Sequence, residues 1–436
     1  MLELLQKVSI SNTMLRFSGR FILAISLFTL VLSLPACFIL EDIEPRFSTA
    51  NTGPYQLSVN YMETVRNGIE SGQYPLQEQA LAALLKRADE RWLPQEPYSV
   101  VHSAPYKKDL LTSGDIHDYL SLYTFAWSDS SSITGYTTRP EQPSPDLDKF
   151  DRVPLAEMSK AVEDLSLAWY FTNDSRYAEK AAQFIRTWFL DKATRMNPNL
   201  NHTQMVPGVG RGGQGIVETR DFIPVIEAAS LIYESEHWSP EEHKELKRWF
   251  YRYLQWIYNV YPNADDLGGN IGTWFDSQKY IFTLFTEQER LLNSRSYILP
   301  LSERMASQIE ADGYQTSEMS RHNAQHYTYF NLKGYIVQAE LQSRPSADRE
   351  ERWTASTSYS ASLRSALDWL TPYAMGEASF IRDFDFYECR YIELYRPAAL
   401  AMNMPEYEAV VESVIERHRP GRCVDILTLL THPPLQ

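Results

Sequence analysis

After residue 72, apolar residues recur at three- and four-residue spacing along most of this chain. Leu76 to Trp92, Leu155 to Tyr170, Arg176 to Phe189, Pro240 to Tyr258 and Ala361 to Trp369 each carry one apolar stripe, the period of a helix that packs on one face. No comparable set of alternating strands stands beside them. Start signals agree with the stripes: Asn173-Asp174-Ser175 precedes Arg176, and Ser239-Pro240-Glu241-Glu242 supplies a capping hydroxyl, a first-turn proline and acidic residues where the helix dipole favours them. The helices come in pairs with short connectors. Ala161 to Leu190 breaks at Phe171-Thr172-Asn173-Asp174, and Lys279 to Gln308 breaks at Phe285-Thr286-Glu287. Stacked helical hairpins bury each unit's apolar face against its neighbours.

Closed into a ring, such hairpins leave a central cleft lined by the loops between helices, so the predicted fold class is all-α, an (α/α) toroid over residues 73–436. Residues 38–72 are mixed and turn-rich and read as a linker. Residues 1–37 contain the apolar run FILAISLFTLVLSLPAC behind Arg16 and Arg20, the pattern of an export signal, with Met14 as an alternative start. Leu34-Pro35-Ala36-Cys37 is similar to a lipobox, which would attach the chain to a membrane through a lipidated Cys37; simple secretion and a retained anchor are the other readings. The expected location is secreted, periplasmic or anchored at the cell surface. Cys389 and Cys423 are available for a disulfide after export, and sequence leaves their pairing open.

Composition narrows the partners. Of the 436 residues 44% are hydrophobic and 13% aromatic, enough for a large core. The net charge of −15 argues against nucleic acid, which needs a cationic surface. An acidic polysaccharide is compatible only with a groove that concentrates cations locally, because salt confines surface charge effects to roughly 10 Å. The aromatic stock suits a sugar cleft, since flat rings cover the apolar faces of pyranoses.

Four stretches interrupt the helical pattern: SGDIHDYLSLYTFAW (113–127), NPNLNHTQMVPGVGRGGQGIVETRDF (197–222), DDLGGNIGTWFDSQ (265–278) and DGYQTSEMSRHNAQHYTYFNLKG (312–334). Their order and wording resemble the alginate-lyase family of polysaccharide lyases, whose members carry a GD-x-HDY opening, an N-x-N-x-x-H segment, an NNHGTW-type segment and an Arg-to-Tyr segment ending in FNL. The resemblance covers nearly all of the chain after the export signal. It implies a polysaccharide lyase acting on a uronic-acid polymer of alginate or glucuronan type, with no cofactor.

Cleavage of a uronate chain by β-elimination removes the C5 proton, α to a carboxylate, and expels the C4 oxygen. It needs a neutraliser for the carboxylate, a base and an acid. Arg321 with Tyr327 is the candidate pair, a cation beside a phenol; by the resemblance, Tyr327 falls on the family's catalytic tyrosine and Arg321 on its partner. Tyr329 is a neighbouring rival, placed with the substrate-binding residues. In one regular helix Arg321 and Tyr327 would point roughly 120° apart, so the pairing requires a loop or a helix start between them. Where the family reads Asn-Asn-His, this chain has Gly269, Asn270 and Ile271. Asn270 can still hydrogen-bond a carboxylate, and Ile271 can neither donate, accept nor carry a proton. His202 is the substitute within the resemblance, as second base or neutraliser.

The remaining candidates are binding residues: His117, Tyr119 and Trp127 in the first stretch, Asn199, Arg211 and Arg220 in the second, Trp274 and Gln278 in the third. Arg195, Arg211, Arg220 and Arg321 are the expected cations of the groove. Gly208 to Gly215 lacks the Lys-Ser/Thr of a phosphate loop and has no strand before it, so it reads as a substrate-facing loop. His322 and His326, four apart, lack a third ligand and read as a polar structural pair rather than a metal site. Asp265, Asp266 and Asp276 keep a glycoside hydrolase open as an alternative, and Ile271 keeps open a catalytically inactive polysaccharide-binding relative.

Overall fold

The computed structural model describes residues 45–49, 51–107, 110–139, 142–211, 215–343, 353, 361–381, 386–418 and 420–435, so the export segment and Cys37 lie outside the described residues. The principal helices are α1 (Val59–Glu70), α2 (Pro75–Arg87), α3 (Arg152–Thr172), α4 (Ser175–Ile185), α5 (Phe222–Leu231) and α6 (Pro240–Val260). They are followed by α7 (Gly269–Phe285), α8 (Ala324–Gln342), α9 (Leu363–Ala374), α10 (Ile392–Met402) and α11 (Pro405–Arg417). Capping explains several boundaries. Asn173 ends α3 in the left-handed region (φ 57°), and the Asp174 carboxylate accepts from the Arg176 backbone N–H at 3.1 Å to start α4. Ser239 and Glu242 form a reciprocal capping box before α6, with Pro240 in its first turn.

Three expectations need correction. The stretch assigned to a linker contains α1, whose Met62 and Val65 are fully buried against the α2 side of the core. The helical pair expected over 279–308 is lopsided: Glu287 turns left-handed (φ 58°) after α7, and only a short helix, Leu301–Ala306, follows Pro300. A residue before proline is pushed out of the helical region, which delays that start. Strands are also present, as β1 (Leu120–Leu122), β2 (Ala126–Ser128), β3 (Tyr136–Thr138), β4 (His202–Val206) and β5 (Gly210–Arg211). β4 is parallel to β1 and antiparallel to β5, while β2 and β3 form a hairpin.

Helices α3, α4 and α5 pack together, as do α7 and α8, and α10 and α11. One core is aromatic: Phe189, Phe222, Trp249, Phe250 and Tyr253 meet mostly edge to face, with centroids 4.8–5.9 Å apart. Each such buried ring contributes about 1.5–3 kcal/mol by leaving water. The other core is built by α1, α2 and α9 to α11. Helix α8 belongs to both, with Val337 and Leu341 in the first and Leu332, Tyr335 and Ile336 in the second. The last turn, Thr428–Thr431, packs on α1 and α2, and His432 meets the Tyr61 ring at 5.8 Å. The end of the helical succession thus returns to its beginning, as an α/α toroid requires. Cys389 and Cys423 form a disulfide with a Cα–Cα distance of 5.4 Å.

Candidate active site

The N-terminal turns of α7 and α8 open onto a cleft of about 900 Å³. Its far side is built by Tyr123, Thr124 and Phe125 between β1 and β2, by Gln204 on β4, and by Arg220 and Asp221 in the turn leading into α5. Two devices fix the start of α7. Arg304 is buried, and its guanidinium donates to Asp276 and to the carbonyls of Leu267 and Ala264 at 2.7–2.8 Å, pinning the loop before the helix. Gly272 leaves no room for a side chain, since a Cβ there would lie 2.4 Å from the Leu267 carbonyl oxygen. Asn270 and Ile271 therefore reach the cleft on a rigid element. Asn270 donates to Glu318 through its backbone N–H at 3.1 Å and its amide at 2.8 Å, which leaves the second amide N–H to the cleft. Burial raises the Glu318 carboxyl above its ordinary value, although both Asn270 bonds oppose the shift.

Helix α8 begins at Ala324, with the Asn323 side chain accepting from the His326 backbone N–H. Arg321 thus lies outside the helix and Tyr327 inside it, and the guanidinium folds back over the phenol with its carbon 3.7 Å from the ring centroid. The helix start required by the pairing exists. His326 shares the same turn, 5.3 Å from the Tyr327 ring and stacked on Phe330 at 5.8 Å.

Six cationic residues line the cleft, Arg152, Lys160, Arg220, Arg321, Lys333 and Arg390, against two acidic ones, Asp221 and Glu393. Asp221 pairs with Arg152 at 2.8 Å; Glu393 accepts from Tyr329 at 2.8 Å and lies 3.5 Å from Lys333. Burial pulls Arg220 below the usual arginine range despite Asp221 nearby. A half-buried guanidinium so placed gains from an incoming anion. His326 is held down at about 4, first by burial and then by Arg390, Arg220 and Arg321, so it is neutral at pH 7.

Of the expected site residues, Tyr327, Arg321, Asn270, Arg220, Trp274 and Tyr329 line this cleft. Tyr329 is bonded to Glu393 and its phenol is pushed up by burial, so it forms wall rather than a proton carrier. The others are placed differently. Tyr119 is fully buried and donates to Glu218 at 2.6 Å. Gln278 is fully buried and fastens Thr219 and the Ile216 carbonyl to α7. His202, 5% exposed, faces Asp118 at 3.5 Å and does not line the cleft. Asp118 also accepts from Ser113, Asn197 and Asn199 at 2.6, 2.8 and 3.1 Å. His117 Nδ1 donates to the Arg195 carbonyl at 2.7 Å, so the two histidine-bearing motifs latch their loops to each other. Trp127 lies under Arg139 at 4.3 Å on the β2–β3 hairpin, away from the cleft lining. Arg211 stands on β5, with 212–214 and its own side chain outside the described residues. Asp276 is fully buried between Arg304 and Lys279, and the Asp266 carboxylate accepts from Asn263, so neither offers a hydrolase carboxylate.

Residues missed from sequence are Tyr123, Thr124, Phe125, Arg152, Lys160, Gln204, Lys333, Arg390 and His326. Gln204 has a left-handed backbone (φ 52°), and its amide donates to Glu218. Strained non-glycine residues collect at functional sites. Among the described residues, no group of three or more His, Cys, Asp or Glu is disposed to hold a metal ion.

The sequence model of a family described as Alginate lyase matches residues 103–380. The crystal structure of an alginate lyase from Bacteroides ovatus is similar to this chain with a TM-score of 0.74 and 30% sequence identity, covering 86% of this chain and 98% of that one. No curated protein matches.

Proposed function

This chain belongs to the alginate lyase family, and on that premise we propose that it cleaves an acidic polysaccharide of 4-linked uronic acid, of alginate or glucuronan type, by β-elimination in the cleft between α7 and α8. One observation carries the reading: Arg321 covers the Tyr327 ring at 3.7 Å in a cleft lined by six cations and two acids, within a chain of net charge −15. The cations draw in and neutralise uronate carboxylates, which makes the C5 proton removable. Asn270 offers an amide N–H to the carboxylate at the scissile sugar. Tyr327 carries a proton, and the guanidinium beside it stabilises negative charge on its oxygen whenever that proton leaves. His202, from its place beside Asp118, acts by holding the loops and not by touching substrate.

The cleft opens to an extracytoplasmic compartment in this proposal. The Cys389–Cys423 disulfide supports export, because such bonds persist in oxidising surroundings, and the N-terminal apolar run supplies the signal, with Cys37 as the lipid attachment point. The reading is tested by incubating the purified protein with alginate and glucuronan and following the ultraviolet absorbance of the C4=C5 product. Absence of that absorbance on every uronate polymer sinks it. Ile271 in the cleft favours one second reading, a relative that binds the polymer without turnover; equal retention of polymer by wild type and Tyr327→Phe, with no product from either, would establish it.

A further inference from the structure

We propose that His326 is a second catalytic residue, the base that takes the C5 proton while Tyr327 protonates the departing C4 oxygen. This inference rests on the lyase reading above. Elimination needs two proton movements, and Ile271 can take part in neither. His326 stands in the same cleft, on the first turn of α8, with its ring 5.3 Å from that of Tyr327. It stacks on Phe330, which lies 5.3 Å from the Trp274 ring, one turn along α7 from Ile271. The imidazole is thus two ring contacts from the turn that carries Asn270. Neither ring nitrogen has a hydrogen-bond partner among the described residues, although only the backbone N–H is needed for the helix start.

The surroundings keep this imidazole unprotonated. Arg321 reaches it from the segment before α8, Arg220 from the turn before α5 and Arg390 from the turn before α10. Asp221 is shared between Arg152 at 2.8 Å and Arg220 at 3.6 Å, Glu393 is held by Tyr329 and Lys333, and neither acid is among the charges that act on the imidazole. A neutral base is therefore ready when substrate arrives. Once a uronate carboxylate sits among those guanidinium groups, their repulsion of an imidazolium falls, and accepting a proton becomes easier during the step itself.

The step balances without a co-reactant. The C5–H bond breaks and its proton goes to His326; the electron pair forms the C4=C5 bond as the C4–O4 bond breaks. O4 takes the phenolic proton of Tyr327. Return of the proton from the His326 imidazolium to the Tyr327 phenolate, directly or through water, restores both groups.

The test compares wild type, His326→Gln, His326→Phe and His326→Ala with Tyr327→Phe and His322→Gln on whichever uronate polymer wild type cleaves. His326→Phe keeps the stacking on Phe330, so its folding can be checked by thermal melting while its proton chemistry is absent. Expected are kcat losses of about 10²–10⁴-fold in the three His326 variants, little change in polymer affinity, partial rescue of His326→Ala by added imidazole, and no loss in His322→Gln. The acid limb of kcat/KM in wild type should lie near pH 4, where the free enzyme's His326 protonates. A folded His326→Gln or His326→Phe that keeps kcat within about threefold, while Tyr327→Phe is dead, overturns the proposal and leaves the lyase reading intact. No product from wild type on any uronate polymer overturns both.

Discussion

Two regions of this molecule look alike as sequence and behave as opposites in three dimensions. The Asp118 latch and the α7–α8 cleft are both assembled from short polar motifs with histidine, asparagine and tyrosine. In the latch these groups satisfy one another: Asp118 faces Ser113, Asn197, Asn199 and His202, and Tyr119 is bonded to Glu218. In the cleft the cations outnumber the acids, and Asn270 keeps an amide N–H to spare. Polar residues that complete each other hold a scaffold, and those left unbalanced wait for a ligand. The motifs alone do not distinguish the two.

The largest expected contrast is catalytic. Tyr327→Phe should lower kcat about 10²–10⁴-fold with an unchanged melting temperature, whereas His202→Gln should stay within about tenfold of wild-type kcat and lose stability instead. A dead but stable His202→Gln would move chemistry into the latch. Arg220→Gln comes next: loss of one charge-assisted contact costs about 1.5–3 kcal/mol, or roughly 10- to 150-fold in KM, and raised salt should weaken wild-type binding in the same direction.

At the latch, Asp118→Ala should destabilise by about 1–3 kcal/mol, because three part-buried donors and the buried His202 lose a charged acceptor, as thermal or urea melting would record. The smallest effect is its pH dependence. Burial alone would raise the Asp118 carboxyl, but the bonds from Ser113, Asn197 and Asn199 and the nearby His202 outweigh it and hold it below the ordinary value. The unfolded chain therefore binds this proton first as pH falls. The latch's contribution is fully present above about pH 4 and fades as pH drops through the lower folded value. Asp118→Asn should flatten that part of the wild-type stability curve, measured as melting temperature from pH 5 downward, without shifting the pH profile of turnover.

The helices were legible because their stripes are long and their caps local. Ser239 with Glu242 and Asp174 before α4 could be read residue by residue. The strands escaped notice since they are two to five residues long and sit inside polar loops. α1 is short, and its stripe of Val59, Met62, Val65 and Ile69 follows directly on a turn-rich stretch that masks its start. In the site, Tyr327 and Arg321 are legible as a cation beside a phenol within the stretch that resembles the family's Arg-to-Tyr segment, and the start of α8 between them supplies the geometry that their spacing requires. Arg152 and Lys160 did not, since periodicity cannot tell a ring's inner face from its outer one. Tyr119 and Gln278 were mistaken for ligand contacts because burial is decided by Glu218 and Thr219, far away in sequence. His326 reads from its spacing to His322 as half of a polar structural pair, and only the start of α8 at Ala324 turns it into the cleft.

Product analysis in heavy-oxygen water separates elimination at the cleft from hydrolysis. Each cleavage should leave a C4=C5 double bond on the new non-reducing end, so that every unsaturated fragment is one water lighter than its hydrolysis counterpart, while the new reducing end forms with the bridging oxygen and no heavy oxygen. Saturated non-reducing ends, with heavy oxygen on the reducing fragment at the moment of cleavage, would show hydrolysis instead.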